Sequence, residues 1–199
     1  MLLMRYDDLD EETKVWMLIE LREEEARCPY RSPNLSAKGR TQFPEIMERA
    51  IARDKEEALA KDLEPTELWS EYEPSPLGGI RKTDPVRAAK VLAHQEFNTW
   101  YIRGLCRRLM EERESLLQIY RAGDGDVQGD ECSAYENMVL EIRFVYHGHR
   151  AKYYPKPNPK AFSIPCSPHC CYSVRRIPRD MKAMLELEER QFGAAFRRS

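Results

Sequence analysis

The chain has 199 residues, of which 42% are hydrophobic and 33% are charged, and its formal net charge is −2. This length is sufficient for a domain with a real core, and the mean hydropathy of −0.70 indicates much solvated or partner-facing surface. No apolar run approaches about 18 residues, so we predict no transmembrane helix and no membrane partner. The opening MLLM is followed by DDLDEE rather than by a cleavage site, which argues against secretion. We therefore expect a cytosolic protein whose six cysteines are reduced thiols.

Charge is distributed unevenly along the chain. Residues 1–73 carry 19 acidic and 11 basic side chains, a net charge of −8, whereas residues 147–199 carry 4 acidic and 11 basic ones, a net charge of +7. Such a chain can fold back on itself or pair head to tail with copies of itself. The basic end could also contact nucleic acid, but it lacks the dense Lys/Arg clusters typical of that function, so nucleic acid is not the favoured partner.

The acidic region, residues 1–73, is predicted to be helical. Asp10 is placed to cap a helix over residues 11–26, because a side-chain oxygen there can accept the first free backbone N–H groups. The apolar spacing of this helix predicts a buried face. That face consists of Val15, Leu18, Ile19 and Ala26, and Trp16 and Met17 broaden it.

A second helix is predicted to open at Pro44, since proline is tolerated in the first helical turn. Apolar residues continue at helical spacing as far as Leu63. A short helix over residues 65–72 is predicted next. Residues 74–84, which contain EPSPLGG from position 73 onward, are predicted to form a Pro/Gly linker or arm.

The third region, residues 85–199, begins with the strongest helix signal in the chain. Asp84 followed by Pro85 predicts a cap and a first turn, and the apolar stripe runs on to about Glu112. We expect this to be the central helix of the fold. Gly104 in its middle predicts the close approach of another backbone, because glycine in a helix otherwise costs about 1 kcal/mol relative to alanine.

The pattern then changes to strands. Residues 116–122 and residues 138–147 are predicted to be strands, the second from its strict alternation of side chains. A last helix is predicted over residues 180–196. The predicted fold class is therefore α+β. It has a mainly helical N-terminal part, a long central helix, a small antiparallel sheet and a C-terminal helix. Residues 85–199 are expected to form one domain with residues 1–73.

A cysteine-rich stretch, SIPCSPHCCYSVRR at residues 163–176, raises the question of a metal site. A structural zinc ion needs four Cys or His ligands, usually as two close pairs. The zinc candidates are His147, His149, Cys166, His169 and Cys170. Neither pair has the familiar two-residue cysteine spacing, so we assign no metal ligand and predict no cofactor, with zinc kept as the alternative. The competing interpretation is that the cysteines are small buried apolar groups.

No other motif identifies a reaction. The segment GDGDVQGDE matches the start of a calcium loop, but Tyr135 stands where a bidentate glutamate is needed. His169 beside Cys170 is not evidence for a thiolate nucleophile, since adjacent side chains on an extended chain point apart. The chain also lacks GxGxxG, GxxxxGK[ST] and HExxH. We predict no catalytic residue and no cofactor-binding residue, and we expect a protein that is not an enzyme.

Two stretches resemble a family. ARCPYRSPNLSAKGRTQFPEIMERAI and QEFNTWYIRGLCRRLMEE, with the YRA that follows, are similar to a group of uncharacterised proteins associated with tailed bacteriophages and prophage-like regions. They cover about a quarter of the chain. The resemblance implies a virion or assembly context, and it carries no catalytic residues.

The favoured hypothesis is a non-enzymatic structural or interaction protein, a subunit or accessory component of a large assembly, such as a capsid-associated or head-completion protein of a bacteriophage virion. Its partners would be protein subunits of the same assembly, including copies of itself, in the virion or the cytoplasm of a bacterial host. Segments around residues 27–44, 73–84 and 150–168 would lie across neighbouring subunits. The predicted partner-binding residues are Arg175, Arg176, Arg179, Arg197 and Arg198. Two alternatives stay open: a small zinc-stabilised module that binds nucleic acid through the basic C-terminal part, and an enzyme of unrecognised type.

Overall fold

The computed structural model has an α+β fold, as predicted. In the described part of the chain, a hydrophobic core connects residues from the helices with the central sheet. No helix in the described part of the chain has the length and apolar character needed to cross a membrane. The structure describes residues 4–53, 56–75, 78–123, 131–148, 150, 152, 154, 156, 158, 160–167, 169–179 and 181–183.

The first helix, α1, spans Glu11–Glu25, and the Asp10 side chain accepts a hydrogen bond from the Thr13 N–H at 2.9 Å, which confirms the predicted cap. The predicted buried face is confirmed at Met17 and wrong at Val15. Val15 is 54% exposed, whereas Met17 and Leu21 are buried together with the carboxylate of Glu20. The helix is therefore rotated so that an acidic side chain faces the interior.

The second helix, α2, spans Ala37–Ala52 and begins seven residues earlier than predicted, with Ser36 as its cap. Pro44 lies inside α2 rather than at its start. A proline cannot donate to the carbonyl four residues before it, here that of Arg40. That carbonyl instead accepts a hydrogen bond from the Arg31 side chain at 2.9 Å. This external donor allows the helix to continue through the proline.

The chain then turns through helix α3, Glu56–Asp62, and a 3₁₀ turn at Thr66–Leu68. The predicted linker at residues 74–84 is instead part of a β-hairpin. Strands β1, Tyr72–Pro74, and β2, Ile80–Lys82, pair antiparallel. Gly78 and Gly79 have φ angles of 89° and 77°, which glycine adopts without steric cost.

Helix α4, Pro85–Glu111, confirms the predicted central helix, and the Asp84 side chain accepts a hydrogen bond from the Arg87 N–H at 3.1 Å. Helices α1 and α3 pack against it. Most of its length is buried, including polar residues such as Glu96 and Asn98. The central helix therefore carries buried charge as well as the apolar core.

The sheet places β3, Leu116–Arg121, between β4, Val139–Glu141, and β5, Tyr172–Arg175, with both pairs antiparallel. The strand predicted over residues 138–147 is wrong beyond residue 141, because the chain enters helix α5, Ile142–Gly148.

The burial pattern of α5 explains this change. Ile142 and Val145, which lie three residues apart, are both buried, while Phe144 between them is 52% exposed. Packing of this apolar pair towards α4 therefore prevails over the strand-like alternation of the sequence.

Residues 181–183 are helical, and the rest of the helix predicted over residues 180–196 lies outside the described residues.

Candidate functional site

A row of buried charged side chains joins α1 to α4. Glu20 and Glu24, one helical turn apart on α1, both face Arg103 of α4. Arg103 donates to Glu20 Oε2 from Nε at 3.0 Å and from Nη2 at 2.7 Å, and its Nη1 donates to Glu24. Glu20 also accepts from Arg107 at 3.3 Å and from the Tyr146 hydroxyl at 2.9 Å. The fully buried carboxylate of Glu20 is thus surrounded by donors.

Arg150 extends this row from the other side. Its Nη1 donates to the two oxygens of Glu24 at 2.8 and 3.0 Å, and its Nη2 donates to Glu96 of α4. The guanidinium lies 5.1 Å from the Trp100 ring centre and 4.8 Å from that of Tyr30. We call the alternating set the buried charge ladder. Its members, in order, are Glu96, Arg150, Glu24, Arg103, Glu20 and Arg107.

The backbone at Arg150 is in the left-handed region, with φ of 54°. This region is sterically unfavourable for a residue with a Cβ atom, and arginine has no special preference for it. Its side chain is only 2% exposed. Replacing buried ion pairs by apolar residues is often neutral or stabilising, so such a ladder is weak evidence of a stability role. A strained backbone that delivers a buried charge is instead typical of functional positions. The ladder is therefore the candidate functional site.

Glu24 and Glu96 differ in the direction of their pKa shifts. Burial acts to raise the pKa of Glu24, but the charges of Arg150 and Arg103 outweigh it and hold this pKa below its ordinary value. Burial raises the pKa of Glu96, and Arg150 offsets only part of that effect. Within the described residues, Glu96 Oε1 is buried without a hydrogen-bond partner. Glu96 is thus more easily protonated than Glu24.

A cleft of 530 Å³ opens over one side of the ladder. Arg103 and Arg150 line its inner part, whereas Arg27, His147 and Lys156 line it with exposed side chains. The remaining lining residues are Glu23, Glu24, Cys28, Tyr146, Tyr154 and Asn158. The Tyr154 hydroxyl donates to the Cys28 carbonyl at 2.8 Å, which ties the segment around Tyr154 to the end of α1. Ionic and hydrogen-bonding side chains dominate this cleft, so it is suited to binding a charged group.

Comparison with protein-family models, with curated proteins and with solved structures finds no match for this chain. Its function must therefore be argued from the site itself.

The cysteine and histidine candidates that the structure describes do not come together. Cys166 is disulfide-bonded, so the prediction that all six cysteines are thiols is wrong for this residue. Cys170 is buried, and its thiol donates to the Tyr172 carbonyl at 3.8 Å. His169 is exposed beside a different cavity from the one that His147 lines.

His149 lies outside the described residues. Among the residues that the structure describes, no three His, Cys, Asp or Glu side chains are arranged to hold a metal ion.

Two predicted partner-binding arginines contact the acidic N-terminal part of their own chain. Arg175 donates to Asp7 at 3.0 Å, and the backbone N–H of Arg176 donates to Asp8 at 2.8 Å. At this point, therefore, the basic C-terminal region pairs with the acidic N-terminal region of the same chain. Arg179 is exposed. Arg197 and Arg198 lie outside the described residues, and a partner contact by any of these five arginines stays a prediction.

The sequence interpretation missed the ladder. Glu20 and Glu24 enter that interpretation only through the net charge of residues 1–73, and Glu96 and Arg150 are assigned no role. The available signal was the four-residue spacing of Glu20 and Glu24, which places both on one helical face with Met17 and Leu21.

Proposed function

We propose that the protein is a non-enzymatic interaction protein that acts as a subunit or accessory component of a larger assembly. The resemblance in residues 26–51 and 95–112 supports a bacteriophage particle as the setting, with the virion or the host cytoplasm as the location. The observation that carries the proposal is the outer face of the β1–β2 hairpin.

This hairpin presents apolar side chains to solvent. Tyr72 is 54% exposed and Ile80 is 76% exposed, and Pro74, the register partner of Ile80, is exposed as well. We call Tyr72, Pro74 and Ile80 the apolar hairpin face. Large apolar side chains grouped in this way are typical of surfaces that another protein covers.

The opposite face of the hairpin is fixed to the body of the protein. Glu73 is buried and accepts hydrogen bonds from Arg81 at 2.8 Å, from Arg87 of α4 and from Asn34 at 3.4 Å. These contacts hold the hairpin in one position, so the outer face is presented by an ordered element. Little conformational entropy would be lost when a partner covers it.

A second copy of this chain is the proposed occupant. Among the described residues β2 pairs only with β1, which leaves its outer edge open for strand addition. Two β2 strands paired antiparallel about Arg81 would place Ile80 opposite the partner's Lys82, whose aliphatic stem can cover it. Each Arg81 would keep its own Glu73 as counter-ion. The two apolar hairpin faces would then form one continuous surface, which further subunits of the assembly would cover.

Size-exclusion chromatography with light scattering tests this proposal. We expect the wild-type chain to form dimers or larger species at high concentration, and Ile80→Lys to elute as a monomer. Val15→Lys is the matched control, because Val15 is a similarly exposed apolar residue on α1. A wild-type chain that is monomeric at high concentration and also fails to bind purified particles would contradict the proposal.

A further inference from the structure

We propose that the cleft over the buried charge ladder is a binding site for a phosphate-type oxyanion, either inorganic phosphate or a phosphomonoester. This site is separate from the apolar hairpin face, and the inference does not depend on the assembly proposed above.

The inner part of the cleft is preformed. Arg103 and Arg150 are at most 9% exposed and are fixed by three ladder carboxylates. Arg103 also lies 4.8 Å from the Trp100 ring centre. Because their positions are already determined, binding would not require these two arginines to lose side-chain entropy. Two guanidinium groups are therefore held ready beside the cavity.

The outer part of the cleft carries cations that the fold does not use. Arg27 and Lys156 are exposed, and neither side chain forms an ion pair with another described residue. His147, also exposed, lies in the same lining. An exposed cation on a surface is ordinary, but two of them converge here on one cavity whose floor also contains the guanidinium groups of Arg103 and Arg150. This convergence is what an anion site requires.

The charge balance favours an anion. Arg103, Arg107 and Arg150 are balanced by the ladder carboxylates Glu20, Glu24 and Glu96, which leaves Arg27 and Lys156 against Glu23 in the rest of the lining. An anion that contacts both Arg27 and Lys156 would compensate them, and phosphate, with a larger negative charge than a single carboxylate, would do so more fully. Phosphate also offers several acceptor oxygens, which suits donors that approach from different walls.

The volume leaves room for more than the phosphate group. A cleft of 530 Å³ lies within the range of about 300–1,000 Å³ found for small-molecule sites. Tyr146, Tyr154 and Asn158 line the cleft and could contact the organic part of a phosphomonoester. The comparison of inorganic phosphate with glycerol phosphate separates the two sources, since only the ester can gain from these side chains.

The test is isothermal titration and thermal unfolding of the full chain with phosphate at constant ionic strength, with acetate as the monoanion reference. We expect saturable binding of phosphate and a melting temperature that rises with its concentration, with a smaller response to acetate. Arg27→Gln and Lys156→Gln should each weaken phosphate affinity by roughly tenfold, the effect of one charge-assisted hydrogen bond. Tighter binding of glycerol phosphate than of phosphate would assign the site to an ester.

Lys90→Gln is the matched control, because Lys90 is an exposed lysine on α4 that does not line the cleft. All variants change exposed side chains, so their melting temperatures without phosphate should equal that of the wild type. The proposal is overturned if phosphate produces no saturable response, or if the Arg27→Gln/Lys156→Gln double variant binds it as tightly as Lys90→Gln does. Light scattering without phosphate reports on the proposed assembly separately, so the two proposals fail independently.

Discussion

Gly104 of α4 lies directly against Met17 of α1. A Cβ atom on Gly104 would lie 2.5 Å from Met17 Cγ and 2.7 Å from its backbone nitrogen. Backbone cannot move aside as a flexible side chain does, so only glycine fits here. This contact brings the two helices close enough for Glu20 and Glu24 to reach Arg103.

Gly104→Ala is therefore expected to destabilise the protein by about 1–3 kcal/mol, the usual cost of overpacking. Helix propensity alone predicts that Gly104→Ala would stabilise the protein, because alanine is favoured over glycine by about 1 kcal/mol within a helix. Urea unfolding decides between the two. Lys90→Ala, in an exposed part of the same helix, serves as the control and should change little. An unchanged or increased free energy of unfolding for Gly104→Ala would contradict the packing described here.

Features with local causes were predictable from the sequence. The caps at Asp10 and Asp84 and the close approach at Gly104 each follow from the preferences of one or two residues, and all three are confirmed. Strand β3 is confirmed for the same reason, since its apolar run is bounded by polar residues.

Features that depend on distant partners were not predictable in this way. Glu20 is buried only because Arg103, 83 residues away in the chain, pairs with it. Pro44 is tolerated inside α2 only because Arg31 bonds the carbonyl it leaves free. The ladder likewise needs Arg150, whose position results from tertiary structure rather than from local pattern. A candidate site built from such pairs becomes visible only in the folded chain.

Arg150→Met is expected to destabilise the protein by about 3–5 kcal/mol, because it leaves Glu96 buried without its counter-ion. The double variant Arg150→Met/Glu96→Leu removes that stranded charge and should recover part of the loss. Urea unfolding of the wild type, Arg150→Met, Glu96→Leu and the double variant measures these free energies of unfolding.

Arg53→Met is the control for removal of an arginine, since Arg53 is 54% exposed in its pair with Asp62 and should cost at most about 1 kcal/mol. Equal costs for Arg150→Met and Arg53→Met would show that the ladder contributes nothing specific.

The buried pair of His94 and Glu56 predicts a pH dependence of stability. His94 Nδ1 lies 3.0 Å from Glu56, its Nε2 lies 2.9 Å from the Cys170 carbonyl, and the Tyr6 hydroxyl donates to the other oxygen of Glu56 at 3.1 Å. Burial by itself lowers the pKa of His94, but the hydrogen bond and charge of Glu56 and the Cys170 carbonyl raise it above its ordinary value. The folded protein therefore favours the imidazolium form.

Because the folded-state pKa of His94 exceeds the unfolded value of about 6.5, this contribution to stability is complete below that pH and is lost as the pH rises through the folded-state pKa. The free energy of unfolding, measured by urea titration between about pH 5.5 and pH 8.5, should fall more steeply for the wild type than for His94→Gln. His147 and His169 are exposed and are present in both proteins, so they cancel in the comparison. Identical pH slopes would contradict the assignment.

Thiol reactivity should separate Cys28 from the cysteines of the core. Cys28 is exposed, whereas Cys106, Cys170 and Cys171 are buried, and burial raises the pKa of Cys106 further from the range in which a thiolate forms. Alkylation of the native protein, followed by peptide mass spectrometry, should therefore modify Cys28 and leave the other three intact until denaturant is added. Native labelling of Cys170 or Cys171 as fast as that of Cys28 would contradict the burial of their thiols. Protection of both would instead identify them as packing residues that anchor β5 beneath α4.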